Sequence, residues 1–139
     1  MIVSSEKQII TAPADIGNII IAILRCEDEI EQEKEHFYSI GMDQKNVIQY
    51  IDLVSLGTVS ESIVHPRETF RRAVIGGVSS IIIAHNHPSG NLIPSKNDIK
   101  TTNRLVEAGK ILGITVLDHV IVNMQGNYIS LKESGYLVE

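Results

Sequence analysis

His85 and His87 stand two residues apart at the end of the apolar run SSIIIA. Side chains alternate faces along a strand, so residues two apart share a face and both imidazoles can converge on one ion. Neutral imidazole is the commonest metal ligand, and a catalytic zinc wants three protein ligands plus a position open to water. A third ligand must come from a segment that returns to the strand end. Asp98, in the first turn of the next expected helix, is placed to supply it. Each piece also has a plain structural reading. A His-x-His pair at a strand end can be an ordinary loop pair, and Ser95-x-x-Asp98 is a capping-box pattern that starts a helix. The readings are compatible, because a carboxylate that caps a helix can still turn one oxygen to a metal.

The elements around these residues follow from periodicity and punctuation. KQIIT (7–11) reads as a short strand. Pro13 suits a helix first turn, and IGNIIIAILRC continues that helix to about residue 27. EDEIEQEKE (27–35) holds six acidic residues and one lysine, as expected of a solvated helix end or loop. HFYSIGMD (36–43) and NVIQYIDLVSLG (46–57) read as strands joined by a two-residue loop at Gln44–Lys45. HPRETFRRAVIGG (65–77) reads as one helix, opened by Pro66 and ended by Gly76–Gly77. SSIIIA (79–84) suits a strand buried on both faces, and NHPSGNLIP (86–94) a loop. SKNDIKTTNRLVEAGKILG (95–113) is a helix ending at Gly113. ITVLDHVIV (114–122) and YISL (128–131) complete the strands. The alternation predicts an α/β or α+β domain with a mixed sheet.

The chain has 139 residues, enough for one domain with a core that needs no disulfide staples. Cys26 is its only cysteine, which excludes an intrachain disulfide and a cysteine-based zinc site. Its setting, IIIAILRC, predicts a buried helix position, and such usage suits a reducing cytoplasm. No run reaches the about 18 apolar residues of a membrane span, and MIVSSEKQII lacks the layout of a signal peptide. A net charge of −5 leaves no electrostatic footprint for nucleic acid. RETFRR (67–72) is the one dense basic cluster, expected as a solvated helix face.

The full string HNHPSGNLIPSKND holds His-x-His, seven residues, then Ser-x-x-Asp. It resembles the JAMM (MPN-domain) metalloprotease motif at every defining position. HPRETFRRAV, IIIAHNHPSG, PSKNDIKTTNRLVEAGKILGI and VLDHVIV resemble the bacterial RadC family, in order and with the expected spacing, from about residue 13 to the end. The resemblance implies a single domain with its core at about 13–136, a mixed β-sheet flanked by helices, and an architecture related to cytidine deaminases. It implies a zinc ion held by His85, His87 and Asp98, with Ser95 as a hydrogen-bond donor beside the reaction centre. It also implies a glutamate general base from an upstream strand, opening that strand ahead of an aromatic residue. That points to Glu35 in EHFYSI, with Glu33 two residues away as the alternative. Zinc would lower the pKa of a water molecule to about 7, Glu35 would take its proton, and an amide bond of a peptide or isopeptide would be cleaved.

Other histidines fit less directly. Asp118-His119 could be a pair behind a ligand imidazole or a hydrogen-bonded strand end. His65 precedes Pro66 and serves a helix start. His36 should point to the sheet face opposite the candidate base. An HNH nuclease spreads its residues over a ββα unit rather than a tripeptide, and the His-x-Glu and Pro-Cys-x-x-Cys of nucleobase deaminases are absent. The competing function is a non-catalytic, RadC-like accessory in DNA repair or recombination. Full-length relatives usually carry an N-terminal helix-hairpin-helix region for DNA, and this chain is expected to contain none. The substrate, a peptide or protein, and the oligomeric state are not legible.

Overall fold

The computed structural model describes residues 8–57 and 64–137. In chain order these form helix α1 (Pro13–Arg25), a one-turn helix α2 (Glu29–Gln32), strands β1 (Glu35–Met42) and β2 (Ile48–Gly57), and short helices α3 (Pro66–Thr69) and α4 (Arg71–Gly76). Strand β3 (Ser80–Asn86), the long helix α5 (Lys96–Leu112), and strands β4 (Thr115–Val122) and β5 (Tyr128–Ser130) follow. The strands make one mixed sheet in the order β2-β1-β3-β4-β5 among the described residues. Only β3 and β4 run parallel, and α5 is the crossover between them. The fold is the mixed, helix-flanked sheet that the sequence predicts.

Strand β3 sits at the centre, and its side chains divide the core by alternation. Ile82 and Ala84 pack with Ile16, Ile20 and Leu24 of α1, while Ile81 and Ile83 pack with Leu105 and Val106 of α5 and with Phe70 and Ala73. A fully buried isoleucine contributes about 1.5–3 kcal/mol, so a slip of one residue, which would swap the faces, is strongly disfavoured. The next residues inherit this phase. His85 falls on the α5 face and Asn86 on the α1 face.

Helix α5 begins at Ser95, whose Oγ accepts from the Asp98 amide at 3.0 Å while the Asp98 carboxylate accepts from the Ser95 amide at 2.9 Å. This reciprocal cap satisfies two amides that lack partners inside the helix. Gly113, at φ 73°, ends the helix in the left-handed region that glycine adopts without strain.

Four expectations need correction. Cys26 is exposed: the helix ends at Arg25, so the residue caps α1 instead of continuing its buried stripe. KQIIT leaves only an isolated bridge, Ile9 to Val47, with Lys7 outside the described residues. The β1–β2 connection is longer than two residues, since Met42 pairs with Ile48. Asp43 accepts from the amides of Lys45 and Val47, and Asn46 takes φ 61°, a conformation asparagine tolerates. HPRETFRRAVIGG breaks at Phe70, where φ −96° and ψ −3° depart from helix and the ring is buried in the core.

Candidate metal centre

At the C-terminal end of β3 three side chains converge. His85 Nε2 lies 3.0 Å from His87 Nε2 and 3.3 Å from Asp98 Oδ1, and His87 Nε2 lies 3.0 Å from Asp98 Oδ2. One ligand atom from each of the three lies within 4.8 Å of the others, so the cluster could hold a metal ion. Strand alternation aims both histidines to the α5 face, and the cap at the start of α5 turns the Asp98 carboxylate toward them.

The hydrogen bonds around the rings decide where their protons are. A carbonyl oxygen only accepts, so His87 Nδ1, 2.6 Å from the Asn91 carbonyl, carries a proton and donates it. The Thr102 hydroxyl donates its one proton to the Asp98 main-chain carbonyl at 2.7 Å. The contact of 2.5 Å between Thr102 Oγ1 and His119 Nδ1 is then donated by the histidine. A neutral His119 protonated on Nδ1 has a bare Nε2. It accepts from His85 Nδ1 at 2.6 Å. Burial pushes His119 well below the usual histidine range, with His85 adding to the effect, and keeps it neutral. The chain Asp98–Thr102–His119–His85 therefore leaves the His85 Nε2 lone pair facing the cluster.

Lone pairs and a carboxylate at these separations repel unless a cation lies among them. Without a metal, a proton on His87 would supply that cation. Burial works against it, but hydrogen bonds to the Asp98 carboxylate and the Asn91 carbonyl outweigh burial and raise the His87 imidazole. Burial likewise pushes the Asp98 carboxyl up, yet the two histidines hold it well below the usual carboxylate range. The donor set, two imidazole nitrogens and a carboxylate, suits zinc or another divalent transition metal.

A cleft of about 420 Å³ opens over the cluster, lined by Glu35, Phe37, Ser95 and His119 beside the three. Glu35 opens β1 and lines this cleft. Glu33 caps the end of α2 and is not part of the lining, so the two do not share a strand face. The Ser95 hydroxyl accepts from the Asp98 amide, and its own proton remains to be donated. His36 turns to the opposite face, stacked near Tyr38 with ring centroids 6.1 Å apart, as alternation predicts.

Asp118 and His119 do not act as one pair. A register shift lets β4 carry an extra residue between Val116 and Asp118. This bulge resets the alternation, so His119 reaches the cluster while Asp118 faces away. There Asp118 accepts from the His119 and Lys132 amides and the Ser130 hydroxyl, tying β5 to β4. Sequence reasoning missed Thr102, Asn86 and Asn91. Thr102 carried a signal: it lies four residues after Asp98 and is a polar side chain on the buried side of α5, wholly inaccessible.

Comparison with known proteins agrees with this architecture. A family model described as RadC-like JAB domain matches residues 10–136. A UPF0758 protein of Caldanaerobacter subterraneus subsp. tengcongensis is 49% identical over 131 residues, covering 94% of this chain and 54% of the relative. One from Methanosarcina mazei is 43% identical over 135 residues, covering 97% and 56%. One from Staphylococcus haemolyticus is 42% identical over 132 residues, covering 95% and 55%. The chain thus spans about half the length of these relatives. No helix among the described residues is long and apolar enough to cross a membrane. With the match running nearly end to end, the chain belongs to the family of RadC-like JAB domains.

Proposed function

We propose that this chain is a zinc-dependent hydrolase of the JAMM type that cleaves an amide bond in a peptide or isopeptide substrate. The observation that carries the reading is the convergence of two imidazole nitrogens and a carboxylate on the floor of a cleft that Glu35 and Ser95 also line. Zinc held by His85, His87 and Asp98 would supply a Lewis acid that polarises the scissile carbonyl and acidifies water. Glu35 accepts the proton of the attacking water and passes it to the leaving amine. Ser95, its lone pair engaged by the helix cap, donates its hydroxyl proton to the developing oxyanion. Phe37 and Ile93 line the same cleft and give it an apolar wall.

Two measurements test this. Elemental analysis of protein purified without added metal should find about one zinc per chain, and the His85→Ala/His87→Ala double variant should find none. Full zinc in that variant would refute the ligand set. Against a panel of fluorogenic peptides and isopeptide-linked pairs, Glu35→Gln should keep its zinc and lose about 10²–10⁴-fold in rate. Hydrolysis at the parent rate by Glu35→Gln would remove Glu35 as the base.

A further inference from the structure

Strands β1 and β3 pair from Met42↔Ser80 to Phe37↔His85, and there their backbone ladder stops. Asn86, the next residue of β3, continues it with its side chain. The amide is wholly buried. Its Oδ1 accepts from the His36 main-chain N–H at 2.6 Å, and its Nδ2 donates to the Lys34 carbonyl at 3.0 Å. These two backbone groups lie on either side of Glu35. A primary amide carries one acceptor and a donor in one plane, the shape of a peptide group, so Asn86 serves as one more rung of the ladder.

Other contacts complete the grip. The Lys34 carbonyl also accepts from His36 Nδ1 at 2.8 Å. On the other edge Glu35 and His36 pair with Gly57 and Leu56 of β2. The chain around Glu35 is held from both sides, and alternation then sends its carboxylate into the cleft. The tripeptide His85–Asn86–His87 thereby acts on two faces: its histidines on the metal centre, its asparagine on the strand that carries the base.

We propose that Asn86 is the positioning residue for Glu35, holding the backbone on both sides of it and so setting where the carboxylate enters the cleft. The proposal rests on the reading of Glu35 as the general base. A base must come within about 2.6–3.2 Å of the proton it removes, and a misplacement of about 1 Å can cost about 10²-fold. Aspartate at position 86 would keep the acceptor for His36 but set a negative oxygen against the Lys34 carbonyl. Serine would be too short to span both groups.

The test uses Asn86→Asp and Asn86→Ser in the full chain. In metal-free Asn86→Ser the His36 amide should exchange about ten- to thirtyfold faster, the worth of one or two lost hydrogen bonds, whereas Asn86→Asp, which keeps that acceptor, should not show the increase. With Co²⁺ alone as probe and 13C-carboxyl glutamate as label, the parent Glu35 signal, assigned by its loss in Glu35→Gln, should carry a large paramagnetic shift. Both Asn86 variants should lose most of that shift while the Thr101 signal, read in a parallel sample with 13C-labelled threonine, keeps its own. An unchanged Glu35 shift in both variants overturns the proposal, even where His36 exchange quickens, because Asn86 would then only stabilise the strand. A parent Glu35 signal without a paramagnetic shift, or a parent that takes up no Co²⁺, refutes the functional reading instead. His36 exchange in Asn86→Ser then decides alone: unchanged exchange overturns the grip of Asn86, and faster exchange supports it.

Discussion

His85 Nδ1 lies 2.6 Å from His119 Nε2, and this contact determines which nitrogen of His85 is free to bind a metal. His119 cannot donate there, because its single proton is committed to Thr102 on its other nitrogen. His85 must donate, and its Nε2 is bare. A histidine 34 residues away in sequence thus leaves His85 with a nitrogen that could bind a metal ion. Partners of this kind orient metal-binding histidines and raise their basicity.

His119→Phe should therefore weaken Zn²⁺ binding by about 10–100-fold, read by competition with a chromophoric chelator. His119→Gln, which can still offer an acceptor oxygen, should lose less. Nitrogen-15 NMR of the metal-free parent should show His85 protonated on Nδ1. Protonation on Nε2 would contradict the assigned chain of hydrogen bonds.

Asp98 both caps α5 and faces the histidines, and substitution separates the two roles. Asp98→Asn retains an oxygen for the Ser95 amide but loses the charge, so zinc content should collapse and the metal-free protein should lose the stability that the carboxylate gains from His85 and His87. Asp98→Ala should lose the metal, that same stability and a further about 1 kcal/mol with the cap. Equal urea midpoints for the two variants would contradict the capping role.

The raised His87 imidazole makes metal-free stability depend on pH. Unfolded histidine titrates near about 6.5, and the folded group titrates higher because Asp98 and the Asn91 carbonyl outweigh burial. Its stabilisation is fully present below the unfolded value and is lost as pH rises through the folded one. Urea melts of chelator-treated protein should show stability falling as pH rises above the unfolded value of about 6.5. His87→Gln should flatten that slope. Asp98 has the opposite sign: its carboxyl is depressed, so its stabilisation is present above the ordinary carboxylate range and is lost progressively as pH falls below it.

Tyr38 is wholly buried between the sheet and α1, and its hydroxyl has no protein partner. Burial, with Glu27 assisting, raises its pKa. Tyr38→Phe removes a buried unsatisfied group and should leave stability unchanged or raise it by up to about 1 kcal/mol. The unfolded phenol ionises near about pH 10 before the folded one does, so the parent should lose stability above that pH. The variant should lose less in parallel thermal melts.

Much of the centre was legible in the chain because its geometry is local. A period of two places His85 and His87 on one face, and a serine three residues before an aspartate marks the start of α5 and brings that carboxylate near. Glycine at 113 announces the helix end. These inferences need only contacts within a few residues. Which of Glu35 and Glu33 lines the cleft was harder to read, because it depends on where α2 stops and β1 begins. Helix boundaries at such short elements are set by packing rather than by propensity. Cys26 was misplaced for the same reason, one residue past the end of its helix.

Tertiary structure alone decided the rest. His119 faces the metal centre only because a bulge before Asp118 resets the phase of β4. A regular strand, alternating from Val116, would send it to the α1 side. No local pattern in TVLDHVIV marks that extra residue, since it is fixed by the register β4 finds against β3. The grip of Asn86 on Lys34 and His36 spans about 50 residues. It exists because the β1–β3 ladder ends one rung short, and the buried backbone groups left there must find a partner. Sequence determined which side chains could bind a metal. The pairing of strands determined which protons those side chains hold.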